Sequence, residues 1–278
     1  MPARRNAAWR RLLAEFLGTA MLVTAVVGSG IMAAELSPAD VGLQLLENSV
    51  ATALALGAVI LTFGPISGGH FNPVVSAADW FLGRRTRTGL SGADLAGYLA
   101  AQCAGAMAGS VLANLMFGLA PVTVATRDRT GGHLWLGEIV ATAGLLLLVF
   151  ALARSGRAAV APAAVGAYIG AAYWFTSSTS FANPAVTVGR TLTDTFAGIA
   201  PGSLPGFLIA QAAGLVAGVI LLLALYPDAA ETATAVVAEH PDPAEAAGVG
   251  VEHSAPAETA PGVVVEDPAP AFISRTGP

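Results

Sequence analysis

The sequence reads SGGHFNPVVS over residues 67–76 and STSFANPAVT over residues 178–187. Each stretch contains an Asn-Pro pair, Asn72-Pro73 in the first and Asn183-Pro184 in the second, and each follows a long apolar run. Asn is a favoured helix N-cap and Pro is favoured at the first helical position, so each pair predicts the start of a short helix. A helix that begins at membrane depth leaves free backbone N–H groups, which are tolerated only where they face protein or a water-filled cavity. Two such helix starts therefore predict a pore.

The composition is typical of a protein that crosses a membrane several times. Of the 278 residues, 55% are hydrophobic and 11% are charged, against about 25% charged residues in soluble domains. Six segments are apolar over the roughly 20 residues that a span requires. They cover residues 10–33, 43–63, 92–118, 134–153, 158–178 and 205–226. The shorter segments after the Asn-Pro pairs predict half-helices in re-entrant loops. The expected fold class is thus an all-α membrane protein with six transmembrane helices and two re-entrant half-helices.

The two halves of the chain form an internal repeat. Residues 98–109, YLAAQCAGAMAG, match residues 207–218, FLIAQAAGLVAG, at the Leu, Gln and Gly positions. Three spans in each half is an odd number, so the halves must have opposite orientations in the membrane, and inverted repeats place their site near the midplane. We expect a membrane domain over residues 10–226, with repeat 1 at about 10–118 and repeat 2 at about 134–226.

The charges predict the orientation of the spans. Nine arginines lie on the side from which span one starts: Arg4, Arg5, Arg10, Arg11, Arg84, Arg85, Arg87, Arg154 and Arg157. Three lie on the opposite side: Arg127, Arg129 and Arg190. Because cytoplasmic loops carry the excess of positive charge, both termini should be cytoplasmic, the N-terminus comprising residues 1–9.

Residues 227–278 hold nine acidic residues and one arginine, and their Ala- and Pro-rich composition predicts a disordered acidic tail.

Together these features resemble the aquaporin, or major intrinsic protein, family. The resemblance rests on the six spans, the two Asn-Pro motifs, the repeat just quoted and the openings AEFLGT at 14–19 and LGEIVAT at 136–142. It implies a passive channel for small neutral solutes, which assembles as a homotetramer in the lipid bilayer of the cell membrane. No cofactor, metal or nucleic-acid partner is expected. The sequence also lacks the nucleophile–base pair, phosphate loop or cofactor fingerprint of an enzyme.

The motif residues are expected at the centre of the pore. They are Asn72, Pro73, Val74, Asn183, Pro184 and Ala185, and the first motif departs from the family pattern at Val74, where alanine is usual. Two opposed half-helices aim their positive ends at one point, where the amides of Asn72 and Asn183 can donate to a solute oxygen. Such a centre repels cations and disrupts a proton-conducting chain of water. The alternatives are ordinary turns in a transporter, or a non-conducting scaffold whose acidic tail is the working part.

Three ionisable residues have two interpretations each. Glu15 and Glu138 occupy corresponding places in spans one and four, and an intramembrane carboxylate needs a partner. The resemblance implies that they accept hydrogen bonds from backbone N–H groups of the re-entrant loops, whereas the alternative is a relay in a proton-coupled transporter. His70 is expected at the cytoplasmic mouth, either bonded to the backbone or acting as a pH-dependent gate. Gln102 and Gln211 are expected to be polar contacts between helices.

One departure from the family falls where selectivity is decided. In most aquaporins an arginine follows the second Asn-Pro-Ala and lines the narrowest constriction, but this sequence has Val186 there. Counting from the motifs gives the other constriction positions as Ser180, Ala171 or Gly170, and Thr52 or Leu56. None of these is aromatic or charged. Because valine lacks the bulk, charge and donors of arginine, the constriction should be wider, more apolar and less repulsive to positive charge.

The second motif also points to a class of solute. The run FANPAVT at 181–187, followed by DTFAGI at 194–199, resembles bacterial aquaglyceroporins associated with arsenic-resistance operons. This resemblance implies arsenite, and with it methylated arsenicals, as solutes. At neutral pH arsenite is an uncharged trihydroxide shaped like a small polyol. A general water and glycerol facilitator is the alternative, since pore width and lining polarity alone do not name a solute.

Overall fold

The computed structural model describes residues 7–84 and 86–227, and every regular element in this part of the chain is a helix. Eight α-helices follow one another: α1 Ala8–Leu36, α2 Val41–Ser67, α3 Pro73–Gly83, α4 Gly92–Met116, α5 Gly132–Arg154, α6 Ala161–Phe175, α7 Pro184–Gly189 and α8 Leu204–Leu225. Short 3-10 turns precede α6 and α8 and follow α7, at Ala158–Val160, Pro201–Ser203 and Arg190–Leu192. The tail predicted over 227–278 falls, after Pro227, outside the described residues.

Six of these helices are long and apolar enough to cross a membrane: α1, α2, α4, α5, and α6 and α8 with the turns that precede them. The two others, α3 and α7, begin at the Asn-Pro pairs. The predicted fold class is therefore confirmed, with six spans and two short helices.

Local sequence explains where several helices begin and end. Asp40 caps α2, its carboxylate accepting a hydrogen bond from the backbone nitrogen of Leu43 at 2.9 Å. Ser91 caps α4 in the same way through the backbone nitrogen of Asp94 at 3.1 Å. At the end of α2, Gly68 adopts a φ of 93°, a left-handed conformation that glycine reaches without steric cost.

The two halves repeat the same packing. In the first half α1 packs against α2 and α4, and in the second α5 packs against α6 and α8. The short helices connect the halves, because α3 contacts both α4 and α8 while α7 contacts both α8 and α4. Each half therefore contributes one short helix to a shared centre.

Glycines allow close helix contact at equivalent places in the halves. A Cβ on Gly105 of α4 would lie 2.3 Å from the carbonyl oxygen of Phe16 in α1. A Cβ on Gly214 of α8 would lie 2.8 Å from the carbonyl oxygen of Ile139 in α5. Small residues at such positions let the backbones of membrane helices approach closely. The repeated Gly positions of the sequence are thus packing sites.

The distribution of polarity is that of a protein surrounded by lipid. Large apolar side chains lie exposed on the outer faces of the spans, among them Leu54, Leu61, Leu136, Ile209 and Ile220. In contrast, polar side chains that are fully buried lie between the helices: Glu15, Gln102, Glu138 and Gln211. Polar residues in a membrane protein face the interior of the bundle, so the functional site is expected there.

Candidate functional site

An elongated cavity runs between the two halves. Its lining residues along α6 extend from Ala161 to Tyr173, which at 1.5 Å per residue corresponds to about 18 Å. The cavity has a volume of about 60 Å³. One ordered water needs ~10–15 Å³ of such volume. The cavity therefore has room for several waters or for one small solute.

Both Asn side chains cap the short helix that they precede. The Oδ1 atom of Asn72 accepts from the backbone nitrogen of Val74 at 3.1 Å. The Oδ1 atom of Asn183 accepts from the backbone nitrogens of Ala185 at 3.0 Å and Val186 at 3.2 Å. Capping by the oxygen turns each amide nitrogen away from its own helix, which leaves the N–H groups free for other partners.

The amide nitrogens of the two Asn residues bond reciprocally across the centre. The Nδ2 atom of Asn72 donates to the carbonyl oxygen of Ala182, and that of Asn183 donates to the carbonyl oxygen of Phe71, both at 2.8 Å. Phe71 and Ala182 have positive φ angles, 47° and 45°, a strained conformation for non-glycine residues. Each amide nitrogen carries two hydrogens, and both Asn residues line the cavity. One N–H group of each is therefore available to a solute.

A buried carboxylate holds the first strained loop. The oxygens of Glu15 accept from the backbone nitrogens of His70 at 3.1 Å and Phe71 at 2.7 Å. They also accept from the hydroxyl of Ser67 at 2.6 Å and from Nε2 of Gln102 at 2.7 Å. Four donors satisfy this carboxylate, so its charge is compensated by the loop and by α4.

Glu138 repeats the arrangement in the second half. Its oxygens accept from the backbone nitrogens of Phe181 and Ala182, both at 2.8 Å, and from Nε2 of Gln211 at 2.7 Å. The second N–H of the Gln211 amide is within reach of Thr187, since the nitrogen lies 2.9 Å from that hydroxyl oxygen. This geometry favours support of the loops over a proton relay, and it favours a helix-bridging role for the glutamines.

Four of the residues expected at the constriction line the cavity: Thr52, Leu56, Ser180 and Val186. Thr52 and Leu56 are four residues apart in α2 and therefore lie on one face of the helix, so the two alternatives for span two belong to the same wall. Ser180 is 3% exposed, and its hydroxyl has no hydrogen-bond partner among the described residues. It is a buried polar group in the cavity wall without a partner among the described residues.

The expectation for span five needs correction. Ala171 is exposed on the outer face of α6, and Gly170 packs against α2, where a Cβ would lie 2.9 Å from the Cβ of Ala53. The cavity is lined instead by Tyr173, whose hydroxyl lies 3.2 Å from Oγ1 of Thr52. Tyr173 was not predicted, because the expected positions depended on the spacing that the family has between span five and the second motif. The cavity wall therefore includes an aromatic hydroxyl.

A guanidinium that was not expected from the sequence also lines the cavity. Arg190 follows Val186 by four residues, is 2% exposed and belongs to the cavity wall. Its Nε donates to the carbonyl oxygen of Ala197, and its Cζ lies 3.5 Å from the centre of the Phe181 ring. From the sequence, Arg190 was expected only in a loop on the side opposite the N-terminus. Residues four apart share one face of a helix. The spacing of Val186 and Arg190 is therefore the signal that could have predicted Arg190 in the cavity wall.

His70 lines the part of the cavity next to the first motif. Its Nδ1 lies 3.1 Å from the hydroxyl oxygen of Ser76, and its ring packs edge to face against Tyr98 with centroids 5.5 Å apart. The imidazole is thus held by a side chain, and the backbone nitrogen by Glu15. In the described part of the chain, no group of three or more His, Cys, Asp or Glu side chains is placed to hold a metal ion.

Comparison with known proteins agrees with this geometry. Residues 2–182 match the family model of the major intrinsic protein. The chain belongs to the major intrinsic protein family. The match ends one residue before Asn183, so it does not include the second motif, which the structure joins to the first through the reciprocal Asn bonds.

Similar members of the major intrinsic protein family include channels of two kinds. The chain is 52% identical over 213 residues to Aquaglyceroporin AqpS of Rhizobium meliloti (strain 1021), which covers 77% of this chain and 88% of that protein. It is 32% identical over 156 residues to Aquaporin-5 of Ovis aries, covering 53% and 54% of the two chains. The X-ray structure of the aquaglyceroporin from Plasmodium falciparum has the same fold, with a TM-score of 0.56 at 19% identity over 80% of this chain and 96% of that one.

This major intrinsic protein is therefore a multi-pass membrane protein that forms a channel for small neutral solutes, and it is not an enzyme. Its family accounts for the inverted pairing of α1–α4 with α5–α8 and for the cavity at their junction.

Proposed function

We propose that arsenite and methylated arsenicals are among the neutral solutes that this major intrinsic protein conducts. The observation that carries the proposal is that the small Val186 lines the cavity, together with the hydroxyl-bearing residues Thr52, Tyr173 and Ser180. Neutral arsenite carries three O–H groups, each able to donate and to accept a hydrogen bond, and hydroxyl side chains offer both functions in return.

The motif residues have distinct roles in this proposal. The free N–H groups of Asn72 and Asn183 hold a solute oxygen at the centre of the passage, while Pro73 and Pro184 begin the short helices. Glu15 and Glu138 keep the loops in the strained conformation that aims those amides. Val74 and Ala185 are buried in the first turns and shape the wall behind the motifs.

A glycerol facilitator is the second candidate. Support comes from the relative that is 52% identical and is named an aquaglyceroporin. Glycerol and arsenite are both neutral and carry three hydroxyl groups, so hydrogen bonding alone does not separate them.

Purified protein in liposomes distinguishes the candidates. We expect arsenite to enter along its concentration gradient, and water to pass as well, as measured by arsenic content of the vesicles and by light scattering. Entry of glycerol without entry of arsenite would favour the second candidate. Vesicles that pass water while excluding both solutes would contradict the proposal.

The width of the outer passage is tested by Val186→Arg. The larger side chain should narrow the route, so uptake of arsenite and glycerol should fall more than water permeability. Val186→Ala serves as the control, since it removes bulk and should leave both solutes permeant. Equal solute-to-water ratios in Val186→Arg and the unchanged protein would show that Val186 does not limit passage.

Assembly and location are also proposed. We infer a homotetramer in the cell membrane with both termini cytoplasmic, from the resemblance to the family and from the arginines, including Arg84, Arg154 and Arg157, on the side that should face the cytoplasm. Chemical cross-linking in intact membranes and accessibility of a terminal epitope tag test these two statements separately.

A further inference from the structure

Arg190 carries a buried charge that forms no ion pair among the described residues. Within the described residues, no carboxylate oxygen lies within the 4.0 Å of an ion pair with this guanidinium. Its Nε donates a hydrogen bond to the carbonyl oxygen of Ala197. Its Nη1 and Nη2 atoms donate to no residue of the described part. A charge buried without a partner costs several kcal/mol. Water or solute in the adjoining cavity must therefore satisfy the two terminal nitrogens.

The position of the guanidinium is fixed. Its Cζ lies over the Phe181 ring, where the ring electrons attract a cation, and its Nε donates to the carbonyl oxygen of Ala197. Arg129 approaches the same ring at 5.0 Å but does not line the cavity. Burial, and after it the charges of Arg190 and Arg127, lower the pKa of Arg129. The outer end of the passage is therefore electropositive, and only one of these guanidinium groups faces a solute.

A serine with an unpaired hydroxyl belongs to the wall of the same cavity. The hydroxyl of Ser180 is buried and unbonded among the described residues, and Ser180 directly precedes Phe181. Val186 precedes Arg190 by four residues, and both line the cavity. The two guanidinium nitrogens, which donate to no described residue, complement a molecule that carries several O–H groups.

We propose that Arg190 is the specificity-determining residue at the outer end of this channel. Its fixed positive charge excludes cations, which a like charge in a low-dielectric wall repels strongly. Its free N–H groups hold the oxygen atoms of neutral hydroxylated solutes. Val186 sets the width of the passage, whereas Arg190 sets its charge and donors. This inference rests on the channel function proposed above and adds a residue to it.

The first test replaces the guanidinium. Proteoliposomes of the full chain carrying Arg190→Met or Arg190→Lys are compared for sodium entry, read with an enclosed sodium-sensitive dye, and for water and glycerol permeability. We expect Arg190→Met to raise sodium entry by about tenfold, the factor that ~1.4 kcal/mol of lost barrier produces. Arg190→Lys should retain exclusion of sodium, because it keeps the charge, and should alter the glycerol-to-water ratio, because it lacks the planar pair of donors.

Arg129→Met is the matched control. It removes a buried arginine from the same Phe181 ring without touching the cavity lining, so sodium entry should stay at the level of the unchanged protein. A rise in sodium entry as large as that of Arg190→Met would assign the effect to loss of packing around Phe181 and would overturn the proposal.

A second pair of variants leaves Arg190 and its contacts in place. Val186→Glu puts a carboxylate one helical turn away, where it can pair with the guanidinium, and Val186→Gln is its neutral counterpart of equal size. We expect sodium entry to be about tenfold higher in Val186→Glu than in Val186→Gln. Equal sodium entry in this pair would refute the role of Arg190 even if Arg190→Met did not fold.

The proposed function and this inference fail in different measurements. If the unchanged protein passed none of water, glycerol and arsenite, the channel proposal would fail. If it passed these solutes while Arg190→Met and Val186→Glu excluded sodium as well as it does, only the role of Arg190 would be wrong.

Discussion

Glu138 is a single side chain on which the conformation of the second re-entrant loop depends. Two of its hydrogen bonds go to consecutive backbone nitrogens, at Phe181 and Ala182, and the second of these residues has a positive φ. Glu138→Gln keeps one acceptor oxygen and presents an N–H₂ group to a backbone N–H. We expect it to lower the free energy of unfolding by about 1.5–3 kcal/mol, the range for a hydrogen bond to a charged group, and to reduce glycerol flux. Thermal unfolding in detergent and liposome flux measure the two effects.

Glu47→Gln provides the control for this residue. Glu47 lies in α2 and accepts one hydrogen bond, from the hydroxyl of Ser37 at 2.9 Å, so its replacement should change stability and flux little. A proton relay makes a different prediction for Glu138→Gln, namely loss of a flux that an imposed pH gradient drives. If the unchanged protein showed such a gradient-driven flux, support of the loop would not be the whole function of the carboxylate.

At this scale the sequence predicts residues well when a local rule specifies them. The capping Asn residues and the two glutamates follow from motifs, and their hydrogen bonds involve the loops next to those motifs. Tyr173 and Arg190 were not predicted as cavity residues, because their positions depend on where α6 ends and on how the turn after α7 folds back onto Ala197. Such tertiary contacts are not encoded in the spacing of residues along one segment.

Among the elements, α7 is the one whose position decides the geometry of the passage, since it connects Asn183, Val186 and Arg190. It is held against α4 at Gly189, where a Cβ would lie 2.6 Å from the carbonyl oxygen of Ala106. Gly189→Ala should therefore push α7 away from α4, lower the free energy of unfolding by about 1–3 kcal/mol as overpacking does, and reduce solute flux. Thermal unfolding and liposome flux of the same preparation test this expectation.

Gly202→Ala is the control for the packing of α7. A Cβ at Gly202 has no neighbouring atom within 4 Å, so this variant should match the unchanged protein in both measurements. If Gly189→Ala behaved like Gly202→Ala, the contact between α7 and α4 would not limit the position of the motif.

The helices themselves were predicted more reliably than their limits. Hydropathy located all six spans, but α1 continues to Leu36 and α2 to Ser67, beyond the segments 10–33 and 43–63. Hydropathy reports which residues suit the lipid, whereas a helix ends where its last carbonyl groups find other donors. At the end of α2 this is the left-handed Gly68, whose nitrogen donates to the carbonyl of Gly64.

In the molecule as a whole, the inverted repeat explains why both halves line one cavity, each with a different set of residues. The repeat was visible in the sequence because close packing requires Gly at the same positions in both halves, as at Gly105 and Gly214. The identity of the solute was not visible in the sequence, because the two halves differ at the residues that line the cavity. Ser180 and Arg190 belong to the second half, and His70 belongs to the first.

The channel should need only the part of the chain that contains the repeat. The last span ends beside Arg154, whose Nη1 donates to the carbonyl oxygen of Tyr226 at 2.6 Å, so the end of α8 is attached to the end of α5 before the acidic stretch starts. A chain that stops after Pro227 should therefore keep the water and glycerol permeability of the full chain, measured per folded protomer in liposomes. The scaffold alternative predicts the reverse, with function lost on truncation and retained in Asn183→Asp. Since Asn183→Asp replaces the amide donor by a carboxylate acceptor at the centre of the passage, a channel should lose solute flux with that variant even when the tail is intact.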